Sequence, residues 1–142
     1  MARYEHLPIY RSAFDLAVHV EKIVQSFSRY HKYSLGTELR KSSREIVMRV
    51  IHANDASDRA VVLLSLRHDL ENFKIISRLC HESGGFASTR SYLHVAEWIV
   101  NLAKQNEGWL RQTLSRDNTG PSRRRRNNAK IVESDDHSPS GG

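Results

Sequence analysis

Apolar positions recur along this chain at the 3.6-residue period of an amphipathic helix in four separate segments. Between Leu7 and about Tyr30, one face carries Ile9, Ala13, Ala17, Val20, Val24 and Phe27, with Tyr10 and Leu16 flanking it and Pro8 suited to the first turn. A second segment places Leu35, Leu39, Ile46, Val50 and Ala53 on one stripe, with Ser43 its single polar member and Ser34 available as N-cap. Asn54-Asp55-Ala56-Ser57-Asp58 interrupts the pattern, and Ser57 or Asp58 can cap a third helix running to about His81, with Val62, Leu66, Leu70, Phe73, Ser77 and Cys80 on its core stripe. Glu82-Ser83-Gly84-Gly85 stops that helix. Ser88 or Thr89 restarts a fourth, which carries Tyr92, Val95, Ala96, Ile99, Leu102, Ala103 and Leu110, with Trp98 and Trp109 beside them. The expectation is an all-α domain.

The second and third helices carry more than one helix needs to seal a core. Arg40, Arg44, Val47 and Ile51 fall at i, i+4, i+7 and i+11 and form a second stripe, part basic and part apolar. On the third helix Val61, Ile76 and Leu79 lie away from the core stripe, and Arg67, Glu71, Lys74, Arg78 and His81 form a charged stripe between. Second faces of this kind fit contact with another molecule, or a central position in the domain. Val47, Ile51, Val61, Ile76 and Leu79 are the candidate subunit contacts, and Arg40, Lys41, Arg44, Arg67, Lys74 and Arg78 the candidate phosphate contacts. The competing reading is that these cations are solvated or pair with Glu38, Glu45 and Glu71 on their own helices. Between the first two helices, Ser28-Arg29-Tyr30-His31-Lys32-Tyr33 is a cationic, aromatic connection. Its tyrosines either cap the end of the helical domain or stack on RNA bases. The two tryptophans likewise read as core packing or as a ligand platform.

Composition sharpens this picture in two places. Lysine and arginine number 22 against 16 acids, a net charge of +6 that is compatible with phosphate-rich partners. The excess is spread over both parts of the chain: up to Leu114 there are 16 bases and 12 acids (+4), and beyond it 6 and 4 (+2). After Leu114 the composition turns polar, with Arg123, Arg124, Arg125 and Arg126 in succession and then an acidic, Ser/Gly-rich end. Residues 1–114 are therefore expected to fold and residues 115–142 to form a disordered tail, which either binds phosphate without sequence preference or only solubilises. No apolar run approaches the roughly 18 residues of a membrane span, and Met1-Ala2-Arg3-Tyr4-Glu5 does not read as a signal peptide, so a cytoplasmic protein is expected.

No pattern of catalytic chemistry emerges. The lone Cys80 lies in an apolar stripe and reads as a buried, unreactive thiol. None of the eight histidines has an acid three residues before it, as di-iron helical proteins require. His19, His52, His68 and His94 come one per helix but mostly off the core stripes. No arginine precedes a histidine at the spacing of helical nucleases, and Gly84-Gly85 lacks the lysine and strand of a phosphate loop. The expectation is a protein that is not an enzyme and has no metal or cofactor.

Four blocks in order carry a family resemblance: Leu7-Pro8-Ile9-Tyr10-Arg11; Tyr33 to Gly36 followed by Glu38-Leu39-Arg40; Ala53-Asn54-Asp55-Ala56; and Gly108-Trp109-Leu110. Across about Leu7 to Leu114 the chain resembles the accessory variability determinant (Avd) proteins of diversity-generating retroelements, relatives of the four-helix proteins of 23S ribosomal RNA intervening sequences. The resemblance implies an antiparallel up-down four-helix bundle assembled into a ring-like homo-oligomer, a pentamer, with a basic surface. It implies a non-enzymatic partner of the retroelement's reverse transcriptase and of its template RNA or RNA/DNA hybrid, supporting mutagenic reverse transcription and homing. The arginine tail is not a feature of that family. The alternative is a self-assembling helical scaffold of the intervening-sequence type with no functional RNA contact.

Overall fold

The computed structural model describes residues 3–119, and Arg123 to Arg126 lie outside them. A 3-10 turn over Arg3–His6 leads into α1 (Pro8–Gln25), a single-turn α2 (Arg29–Lys32), α3 (Leu35–Asp55), α4 (Arg59–Glu82) and α5 (Thr89–Thr119). The described chain is all-helical. Residues up to Leu110 form one compact unit, and a second begins at Arg111, whose described part continues the helix of α5.

The four long helices seal one core through the stripes their sequences prescribe. Ala13, Val20, Val24, Leu39, Ile46, Val50, Ala53, Leu66, Phe73, Cys80 and Val95 are fully enclosed. Ser43 and Ser77 are buried in the same stripes because their hydroxyls donate back to the carbonyls of Arg40 and Lys74, at 2.8 and 2.9 Å. Contacts run in opposite chain order between neighbours. Glu21 meets Arg40 while Val24 meets Gly36; Arg49 meets Asp69 while Leu35 meets Cys80; Leu63 meets Asn106 while His81 meets Tyr92; and Ser12 meets Trp98 while His19 meets His94. Each of the pairs α1·α3, α3·α4, α4·α5 and α5·α1 is therefore antiparallel. Leu63 and Leu16 belong fully to the core, although the first lies off the sequence stripe of its helix and the second beside its own. The reason is geometric: α4 has α3 on one side and α5 on the other, so its buried arc is wider than one stripe.

Helix ends depart from expectation in instructive ways. Ser34 sits at the N-cap of α3 but caps nothing; its hydroxyl donates to the Tyr30 carbonyl at 3.0 Å and so ties α2 down. At the other end of α3, the Arg59 guanidinium donates to the Ala53 and Asn54 carbonyls at 2.9 and 3.0 Å and lies over the Trp109 ring. Ser88 caps α5 by accepting the Ser91 N–H at 3.1 Å. The α4 end closes with Gly84 at φ 84° and the N–H groups of Gly84 and Gly85 bonded to His81 and Cys80 carbonyls, a Schellman arrangement.

Gly36 decides where α2 lies. A Cβ there would stand 2.7 Å from Val24 Cγ1 and 3.1 Å from the His31 carbonyl oxygen, so the first turn of α3 approaches both α1 and α2 more closely than a side chain permits. Gly36→Ala is expected to lower unfolding stability by roughly 1–2 kcal/mol, since overpacking against the enclosed Val24 outweighs alanine's helix propensity. Urea unfolding checks it, and a variant as stable as the parent would mean the approach is looser than described.

Candidate nucleic-acid interface

The cations picked out by spacing fall at two separate seams. Arg40 and Arg44 lie between α3 and α1, with Arg40 Nε 3.1 Å and Arg44 Nη1 3.9 Å from the Glu21 carboxylate. Arg40 Nε is buried, and although the ion pair is close, its alignment falls short of a directed hydrogen bond. Arg67 lies between α4 and α5 and grips Glu107 with both prongs, Nε at 2.6 Å and Nη2 at 2.8 Å. The Glu107 hydrogen bonds, and then its charge, push the Arg67 pKa further up. Lys74 pairs with Glu71 at 3.7 Å and Arg78 with Glu82 at 3.9 Å on α4 itself. Pairing on the same helix thus holds for Lys74 and Arg78, whereas Arg67 turns to α5, and Arg40 and Arg44 turn to α1 instead of to Glu38 or Glu45. Most of these pairs are open to water, which screens them, so they restrain these side chains only lightly.

Lys41 has a different setting. It is exposed, with no ion pair among the described residues, in a shallow groove with Arg44, Glu45, Met48, Arg49 and His52. Lys41 and Glu45 also line a separate hollow on the α3·α4 seam, beside Asn72, Ile75 and Ile76. Beneath the groove Arg49 Nε donates to Asp69 Oδ2 at 2.9 Å, and Asp69 is only 9% exposed. Neither residue stood out by charge patterning, although Asp69, one turn from both Leu66 and Phe73, was recognisable as an acid on the core side of its helix.

At the end of the molecule where α2 lies, the chain from Lys22 to Thr37 contains Lys22, Arg29, His31 and Lys32 and no carboxylate. Arg29 and Lys32 make no ion pair among the described residues, and Tyr30 and Tyr33 are 83% and 73% exposed. The tyrosines therefore do not cap the domain, which corrects one of the two sequence readings. Phe27 and Phe86 close that end instead, with ring centroids 5.2 Å apart. The tryptophans pack as core elements: Trp98 donates to the Ser12 carbonyl at 3.0 Å, and Trp109 underlies Arg59.

Of the five candidate subunit contacts, Val61 is 56% and Leu79 50% exposed. Val47 and Ile76 are half-buried against the chain's own core, and Ile51 is half-buried. Leu64, Ile75 and Met48 are exposed apolar residues beyond that set. With Val61 and Leu79 they are exposed apolar positions on α4, interspersed with the exposed His68 and Asn72, and, for Met48, on α3.

Among the described residues no group of three or more metal-ligating side chains comes together, and no helix is long and apolar enough to cross a membrane. His19 and His94 do meet, at 5.1 Å between ring centroids. Burial, then the nearby His94 and Lys22 charges, lower the His19 pKa. Cys80 is enclosed, its Sγ 3.8 Å from the Leu35 carbonyl, and burial pushes its thiol up to about 11, so it stays protonated and unreactive at neutral pH.

No model of a known protein family matches the chain. No curated protein matches it either.

Proposed function

We propose that the chain is a non-enzymatic accessory protein of a diversity-generating retroelement, an antiparallel four-helix bundle of the accessory variability determinant type. In this reading it assembles into a ring-like homo-oligomer through the exposed apolar residues of α3 and α4. It binds the reverse transcriptase and the template RNA or RNA/DNA hybrid through basic surface, and the polymerase supplies all the chemistry. The observation that carries the reading is that Lys22, Arg29, Lys32 and Lys41, cations of α1, α2 and α3, make no ion pair among the described residues. The order of the four resembling sequence blocks and the antiparallel helix pairings support it as well.

One observation favours the scaffold alternative. Arg40, Arg44, Arg67, Lys74 and Arg78 all have carboxylates within 4 Å, which is what a helical assembly without RNA contact would use them for. Both readings include an oligomer, so mass by light scattering does not separate them. Binding of a structured RNA and a matched duplex DNA across a salt series does. The intact chain is expected to bind with a steep log-log slope, and changing Arg29, Lys32 and Lys41 together to glutamine is expected to lower that slope by about 2–3, roughly one per phosphate contact. A companion chain with Arg123, Arg124, Arg125 and Arg126 changed to glutamine separates the contribution of that run. Affinity lost wholly with the four arginines, and untouched by the triple change, would favour the scaffold.

A further inference from the structure

Tyr30 and Tyr33 are the two most exposed large side chains with hydrophobic bodies in the described chain. From them we infer that α2 is a stacking platform for unpaired nucleotides, so that the single-stranded parts of a nucleic acid, and not its duplex parts, are what this end of the protein recognises. The inference rests on the nucleic-acid-binding reading above and specifies its substrate class.

Three features of the site point the same way. First, the rings are open. Tyr30 meets only His31, perpendicular to it at 4.9 Å, and Tyr33 has no ring neighbour among the described residues. Second, the turn is preorganised. His31 and Lys32 donate their N–H groups to the Ser28 carbonyl at 3.0 and 2.8 Å, the Ser34 hydroxyl reaches the Tyr30 carbonyl, and the bare Cα of Gly36 lets α3 pack directly beneath His31. A turn held from below loses little conformational freedom when a ligand arrives. Third, the charge suits a polyanion. Arg29 and Lys32 each directly precede one of the two tyrosines, in a stretch of chain that has no carboxylate from Lys22 to Thr37.

Exposed rings and cations in one short stretch of chain answer the two parts of a single strand: phosphates by charge, base faces by stacking. A duplex offers the phosphates but keeps its base faces covered, and an acidic peptide would use the cations while leaving the tyrosines without a role.

The test compares the intact chain with Tyr30→Ala, Tyr33→Ala and the corresponding phenylalanine variants. Fluorescence anisotropy follows binding to an oligonucleotide that cannot self-pair and to its blunt duplex. Each alanine change is expected to weaken single-strand binding about 5-fold or more, with the salt slope and duplex affinity unchanged, and the phenylalanine variants are expected to bind as the parent does. Because both side chains are exposed, circular dichroism and thermal unfolding should not move. Equal losses on single strand and duplex, or losses shared by the phenylalanine variants, would overturn the stacking role. So would unchanged single-strand affinity in both alanine variants, even if they failed to bind a polymerase or anionic vesicles. If the intact chain binds neither nucleic acid, the functional reading falls together with this inference; if it binds both and ignores the tyrosines, the inference falls alone.

Discussion

Trp98→Ala is expected to destabilise the protein by about 3 kcal/mol, the cost of removing a large, partly enclosed aromatic from the α5·α1 contact. The indole N–H donates to the Ser12 carbonyl at 3.0 Å and lies 3.2 Å from its hydroxyl, while the ring stacks on His19 at 5.4 Å. Trp98→Phe keeps most of the stack and loses the hydrogen bond, so about 1 kcal/mol is expected from it. A pH readout distinguishes this contact from generic loss of packing. The fold lowers the His19 pKa below its ordinary 6.5, chiefly by burial. The unfolded chain therefore takes up that proton first as pH falls, and the His19 contribution to stability, present above 6.5, is lost as pH drops through the lower folded value. Removing the indole exposes the imidazole to water and moves its pKa back up, so the variant should lose less stability over that window than the parent does. Urea unfolding at neutral and mildly acid pH measures both, and an acid limb identical in parent and variant would show that Trp98 is not what shields His19.

Arg49→Leu is expected to cost about 2–3 kcal/mol, because it leaves the Asp69 carboxylate beside the core without its cation. Arg49 is 37% exposed at the side chain against 11% for Asp69, so water tempers the loss and keeps it below that of a fully enclosed pair. The double variant Arg49→Leu, Asp69→Leu removes the stranded charge as well and is expected to lie within about 1 kcal/mol of the parent. Unfolding of the two single variants and the double variant gives the coupling directly. If the double variant is as unstable as the sum of the singles, Arg49 and Asp69 are not coupled in the way their 2.9 Å contact implies.

The core was legible because helix period and core face are the same information. Leu39, Ile46, Val50 and Ala53, or Leu66, Phe73 and Cys80, can be assigned inward from spacing alone, and each is fully enclosed. Leu63 and Asn106 were not legible, since they are buried only because α4 and α5 lie side by side, where Asn106 Nδ2 donates to the Leu63 carbonyl at 3.2 Å. The candidate site divides in the same way. Its cations could be named from the sequence, but their partners could not: Glu21 is 19 residues from Arg40, and Glu107 is 40 residues from Arg67.

By itself, then, the sequence determined four amphipathic helices, their inward stripes, their stops at Asn54-Asp55 and Gly84-Gly85, and a cationic, aromatic connection between the first two. Those are properties of neighbours along the chain, set by periodicity, capping and turn chemistry. Only the tertiary structure decided that Arg40 and Arg44 of α3 face α1 while Arg49 faces α4, that Val47 and Ile76 serve the chain's own core, and that Tyr30 and Tyr33 stand in the open. Which charge meets which, and which apolar group is left outside, depends on helix azimuth and on who packs alongside. Gly36 shows how far that goes: one missing side chain lets α1, α2 and α3 close together and sets the platform that carries both tyrosines.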